Sequence, residues 1–263
     1  MIRASIRSPE RALGLDTVES RWERLKPHVA LHGPSGRRPT VLLFHGCGGV
    51  RPHIEGYART VIALGARAMI VDSYAPRGWS RSFGLALVCT GALLRGPERS
   101  GDVLASVHGA ITDCDADPDS LVLAGWSHGS WSIMDLMTMP LQAPGEAGLA
   151  DPSPAALAGV KGVFLGYPYG GVGALSRNRP WVRTPRVLGM LAERDHVTRP
   201  ADADRIYQAP RAAGAEMEVW RVHGTHAFEE QDTGLSPMRY DPDLAAEAMD
   251  RFRTFVAETL SLG

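Results

Sequence analysis

The chain has 263 residues, of which 44% are hydrophobic and 22% charged, an ordinary globular composition. That length suits one large α/β domain, or two small ones, with a core that needs no metal or cross-link. With 28 basic against 29 acidic residues the net charge is −1, so no global field exists to gather nucleic acid or anionic lipid. Only Lys26 and Lys161 are lysine, and the arginine excess reads as a compositional bias.

The first 39 residues are the least regular. Residues 16–26 (DTVESRWERLK) suit a helix and 27–33 (PHVALHG) a short edge strand. From residue 40, apolar runs alternate with amphipathic segments. Strands are expected at 40–46, 66–74, 120–127, 160–168, 186–195 and 216–224. Helices are expected at 56–65, 99–113 and 130–139, at 199–214 with a break near Pro210, and at 241–260. Asp241 can cap that last helix, with Pro242 at its first position. Strands that are apolar throughout, alternating with helices, imply a mostly parallel sheet covered on both faces. The expected organisation is a single domain, with residues 1–39 as an N-terminal extension and 40–263 as the core. Two stretches, 75–96 and 141–159, interrupt the rhythm and are too short to be domains.

Three cysteines, Cys47, Cys89 and Cys114, show no metal-binding spacing. An odd count argues against a disulfide framework and for a reducing compartment. The N-terminus has no apolar signal region, and the apolar run 83–94 is too short to span a bilayer. A soluble, cytoplasmic protein is expected.

Gly125-Trp126-Ser127-His128-Gly129 is a G-x-S-x-G pentapeptide. It closes the apolar strand LVLA and opens the apolar helix WSIMDLM, the setting in which this motif exposes a serine nucleophile on a sharp turn. A serine needs a base, and the base an orienting acid. Asp195 ends a later strand and His226 follows the last one, so both fall on the sheet edge that carries Ser127. Asp195 should then accept the Nδ1–H of His226, whose Nε2 takes the serine proton. Glu193 and His223 are the rivals; Glu193 lies within the strand and His223 at a strand end. The backbone N–H of His128 and that of Cys47, in the loop Phe44-His45-Gly46-Cys47-Gly48-Gly49, should form the oxyanion hole. His45, His53, His223 and His226 lack metal-ligand spacing, so no metal is expected, and no cofactor.

These pieces resemble the dienelactone hydrolase family. The matching segments are VLLFHGCGG (41–49), VDSYAPRG (71–78), LAGWSHG (123–129), LAERDHVT (191–198) and HGTHAF (223–228). The resemblance implies a compact α/β-hydrolase fold without a lid domain, and Ser127, Asp195 and His226 as the triad. The chain departs from the family in two places. It has Ser127 where the family carries cysteine, and it lacks the family's glutamate motif after the first strand.

The segment 75–96 should overhang the site, with Trp79, Phe83, Leu85, Leu87 and Val88 as its apolar wall and Arg77 and Arg81 as polar groups. Arg77 could fork onto a substrate carboxylate, or anchor its loop to an acid such as Asp72. Trp126 and Tyr167 should line the pocket. The expected activity is cleavage of a small-molecule carboxylic ester or lactone, with no nucleic-acid or membrane partner and a homodimer as an allowed assembly. Peptide or amide cleavage, acyl transfer, and ligand binding without catalysis are the alternatives.

Overall fold

A computed structural model describes residues 14–232 and 237–262 of the chain. Residues 1–13 of the expected extension lie outside the described residues. Seven strands form one sheet: β1 (Val29–His32), β2 (Arg38–Phe44), β3 (Arg67–Val71), β4 (Ala116–Trp126), β5 (Val160–Gly166), β6 (Arg186–Ala192) and β7 (Met217–Val222). Their spatial order is β1-β3-β2-β4-β5-β6-β7. Only β1 runs antiparallel, pairing Val29 with Val71 at the sheet edge. The edge strand expected at 27–33 is this one.

The parallel strands are apolar on both sides because helices cover both sides. Leu42 and Phe44 of β2 point into one core, while Val41 and Leu43 point into the other. Leu121 and Leu123 of β4 divide from Val122, Ala124 and Trp126 in the same way, which is the two-residue period of a strand. The helices are α1 (Val18–Leu25), α2 (Pro52–Ala63), α3 (Gly96–Asp113), α4 (His128–Met137), α5 (Pro200–Ile206), α6 (Gln208–Ala212) and α7 (Pro242–Leu260). α1, α3 and α4 feed the first core, and α2 and α7 the second.

Several boundaries differ from the expected ones, and proline placement explains two of them. α2 starts at Pro52, four residues earlier than its apolar spacing suggests, because proline is well placed in a first turn. The break in 199–214 falls at Tyr207, not Pro210. Pro210 sits in the first turn of α6, where its missing N–H costs nothing. α4 begins directly after Ser127. The closing helix is capped as expected, with Asp241 accepting the Leu244 N–H at 3.1 Å.

Asp135 of α4 is fully buried. It accepts hydrogen bonds from Trp131 Nε1 at 2.7 Å and from the Ser176 N–H at 3.1 Å, with no cation among its partners. Burial pushes its pKa up to about 7. Between the ordinary carboxylate value and pH 7 the folded state therefore binds more protons than the unfolded one, so this group's contribution to stability falls as pH rises. Urea melts from pH 4 to 8 should show wild type losing up to about 4 kcal/mol relative to Asp135→Asn across that window. The slope carries the information, since the amide also perturbs the Trp131 contact. Parallel slopes for the two proteins would reject it.

Candidate active site

The parallel register brings the carboxyl ends of five strands to one edge. Phe44 aligns with Gly125, Trp126 with Gly166, Gly166 with Met190, and Ala192 with Val222. The loops leaving these ends converge on Ser127.

Ser127 sits on the β4–α4 turn with φ +50° and ψ −108°, a left-handed value that a non-glycine residue adopts only under constraint. The constraint is close packing. A Cβ on Gly129 would lie 2.2 Å from the Phe44 carbonyl oxygen, and one on Gly125 would lie 2.6 Å from the Gly129 carbonyl carbon. Only hydrogen fits at both places, so α4 starts tight against the end of β2. Gly46 is different, since a Cβ there would meet Ser127 Cβ at an ordinary 3.5 Å. Gly129→Ala should thus cost about 3 kcal/mol in a urea melt and Gly46→Ala much less. Equal melts for the two variants would discard the steric account.

The three residues come together. Ser127 Oγ lies 3.0 Å from His226 Nε2, and His226 Nδ1 lies 2.6 Å from Asp195 Oδ2. Asp195 Oδ1 accepts the N–H groups of Val197 and Thr198, both at 2.7 Å, and Oδ2 also accepts the Thr198 hydroxyl at 2.7 Å. Burial acts to raise the Asp195 pKa, but the bonds from His226 and Thr198 outweigh it and hold the carboxyl below its ordinary value. An ionised Asp195 fixes the imidazole with its proton on Nδ1 and a lone pair toward Ser127. Tyr167 packs its ring edge-on to His226 at 4.7 Å. The rivals pair elsewhere: His223 is exposed and 3.4 Å from Glu193.

The loop after β2 passes against Ser127 and is held from several sides. His45 is buried, bonds through Nδ1 to the Gly46 carbonyl at 2.6 Å, and accepts the Ser73 N–H at Nε2. The Tyr74 hydroxyl donates to the Cys47 carbonyl at 2.9 Å, and the Gly49 N–H to the Gly46 carbonyl at 3.2 Å. The His128 N–H is the first of α4, where the helix dipole favours negative charge.

Cys47 also carries a disulfide to Cys89, which corrects the expectation drawn from an odd cysteine count. Parity says nothing about proximity. β2 and β3 are neighbours in the sheet, so the loops that follow them lie side by side and bring the two Cα atoms to 5.2 Å. Cys114 is the free thiol among the described residues. The compartment argument based on that count therefore lapses. No helix among the described residues is long and apolar enough to cross a membrane.

A cavity of about 210 Å³ opens on Ser127 and His226. Arg81, Leu85, Trp126 and Tyr167 line it, together with Val197. Arg77, Trp79, Phe83, Leu87 and Val88 do not. The Arg77 fork closes on Asp102 with two bonds of 2.9 Å and is unavailable to a substrate. Its anchor is Asp102 rather than Asp72, because Asp72 accepts the N–H groups of Tyr74 and Ala75. Trp79 stacks on Phe83 and Tyr74 outside the cavity. Residues 81–88, within the stretch that interrupts the strand–helix rhythm, coil into short helical turns started by Ser80, whose side chain caps Phe83. Glu230 and Met238, from beyond His226, and His53 also line the cavity, and no local sequence pattern marks them as pocket residues. Glu230 is bonded to Arg51 at 3.0 Å.

No protein-family model and no curated protein matches the sequence. Solved structures do match the fold. The dienelactone hydrolase-like promiscuous phosphotriesterase P91 from metagenomic libraries aligns with TM-score 0.62 and 13% identity, over 88% of this chain and 92% of that one. The α/β hydrolase MGS-M1 from a Medee basin deep-sea metagenome gives 0.60 and 17%, over 89% and 93%. The esterase Est2 of Thermogutta terrifontis, with propionate bound, gives 0.59 and 16%, over 88% of each chain. The chain has the α/β-hydrolase fold, in the form shared by dienelactone hydrolase-like proteins.

Proposed function

We propose that this protein is a serine hydrolase that cleaves small carboxylic esters or lactones through an acyl-enzyme. The observation that carries the reading is the unbroken line Ser127 Oγ, His226 Nε2, His226 Nδ1, Asp195 Oδ2 at 3.0 and 2.6 Å beside a cavity. Ser127 attacks the carbonyl carbon as His226 takes its proton. Asp195 stabilises the imidazolium without itself being protonated. The N–H groups of Cys47 and His128 hold the oxyanion, and His226 returns the proton to the leaving alkoxide. Water activated by His226 then frees Ser127. The small, largely apolar cavity favours short acyl groups, with Arg81 and Trp126 as contacts. Serine at the nucleophile position separates the chemistry from the thiolate chemistry of the dienelactone hydrolases that the sequence resembles.

A fluorophosphonate should modify the native protein once, at Ser127, and abolish turnover of nitrophenyl acetate. Turnover of an aminoacyl anilide in place of the ester would move the reading to an amidase. No labelling and no turnover of either would leave a binding protein on this fold.

A further inference from the structure

The two oxyanion donors come from different elements, Cys47 from the β2 loop and His128 from the start of α4. Their spacing matters, because a displacement of about 1 Å in an active site can cost 10²-fold in rate. One side chain spans both elements from beneath. Arg99 of α3 is fully buried. Its Nη1 donates to the His45 carbonyl at 2.8 Å and bonds to His128 Nδ1 at 3.1 Å. Its Nε donates to Ser73 Oγ at 3.0 Å, next to the Ser73 N–H that holds His45. No carboxylate among the described residues lies within salt-bridge distance of this guanidinium.

A buried cation with neutral partners is a costly way to fill a core position. A methionine or leucine would fill it with less penalty. What an aliphatic side chain cannot do is tie the β2 loop to the His128 ring, as Arg99 Nη1 does by bonding to both. Accepting from Arg99 also fixes His128 in the tautomer with its lone pair on Nδ1, and burial beside Arg99 keeps that ring neutral.

We infer that Arg99 is a positioning residue that sets the separation of the two oxyanion donors and lends its positive field to them. It touches no reacting atom and acts through His45 and His128. The proposal rests on the serine-hydrolase reading above.

The test compares wild type with Arg99→Met, Arg99→Lys and Ser73→Ala in two measurements. One is kcat and KM on nitrophenyl acetate. The other is affinity for a trifluoromethyl ketone, which adds Ser127 Oγ to its carbonyl and places an oxyanion between the donors. Arg99→Met should lower kcat about 10²-fold, with KM within about threefold, and weaken the ketone by a similar factor. Arg99→Lys keeps the charge but loses the rigid guanidinium plane and the separate Nε donor to Ser73, so it should recover only part of each loss. Ser73→Ala frees only Nε and should cost a few-fold in both. If Arg99→Met does not fold, the other two variants carry the comparison. Folded variants whose kcat and ketone affinity match wild type would overturn the positioning role, as would losses confined to KM. A wild type that neither turns over the ester nor binds the ketone rejects the underlying reading, and the Arg99 proposal with it.

Discussion

Ser127→Ala is expected to lower ester turnover by about 10⁶-fold while leaving KM nearly unchanged. In the proposed mechanism the hydroxyl makes the bond to the acyl carbon, so its loss removes the pathway and not merely a contact. His226→Ala should cost as much, because an unactivated serine at neutral pH is a weak nucleophile. The double variant should be no worse than either single one, since the pair acts as a unit. Asp195→Asn should cost about 10⁴-fold, because the amide favours the wrong imidazole tautomer and cannot stabilise the imidazolium. Residual activity of about 10³-fold over water should survive in all of them, supplied by the Cys47 and His128 amides. Stability gives an independent check. Ser127 holds φ at +50°, which glycine adopts without strain. Ser127→Gly should therefore be inactive yet more resistant to urea by about 1 kcal/mol. A Ser127→Ala enzyme with near wild-type turnover would move the nucleophile elsewhere and end the triad mechanism.

The placement of that triad was legible because each member stands just past the end of an apolar run. Ser127, Asp195 and His226 follow β4, β6 and β7, and parallel strands deliver such ends to one edge. The pocket walls were less legible. Arg77 and Arg81 lie four residues apart in the same segment, yet only Arg81 reaches the cavity. What separates them is Asp102 on α3, a long-range partner that no local pattern announces. Arg99 did leave a trace. It sits at helical spacing with Val103 and Val107 on the buried stripe of α3, where an arginine has no hydrophobic reason to be. Glu230 left none, because its role depends on Arg51 from a loop 179 residues away.

Removing the Cys47–Cys89 disulfide should produce the largest stability change of any single surface-loop substitution. The bridge closes a loop with a sequence separation of 42. Chain entropy alone then assigns it about 4 kcal/mol, within the range of about 2–5 kcal/mol seen when native bridges are removed. For a chain of this size that is a fall of roughly 8–16 °C in Tm. Cys89→Ser, or reduction by a dithiol, should show it. Activity should respond less. The Tyr74 hydroxyl and the Gly49 N–H still restrain the Cys47 peptide, so kcat should fall by less than the about 10²-fold of a lost oxyanion donor. The wall itself should loosen more than the donor does, because Cys89 ends the helical turns that carry Arg81 and Leu85 into the cavity. KM should therefore rise more than kcat falls, the opposite of the pattern expected for Arg99→Met. Thiol titration in denaturant supplies the control. One reactive thiol, Cys114, should appear without reductant, and all three after reduction. Three thiols before reduction would mean that the two loops are held together by packing alone, and the Tm difference should then vanish.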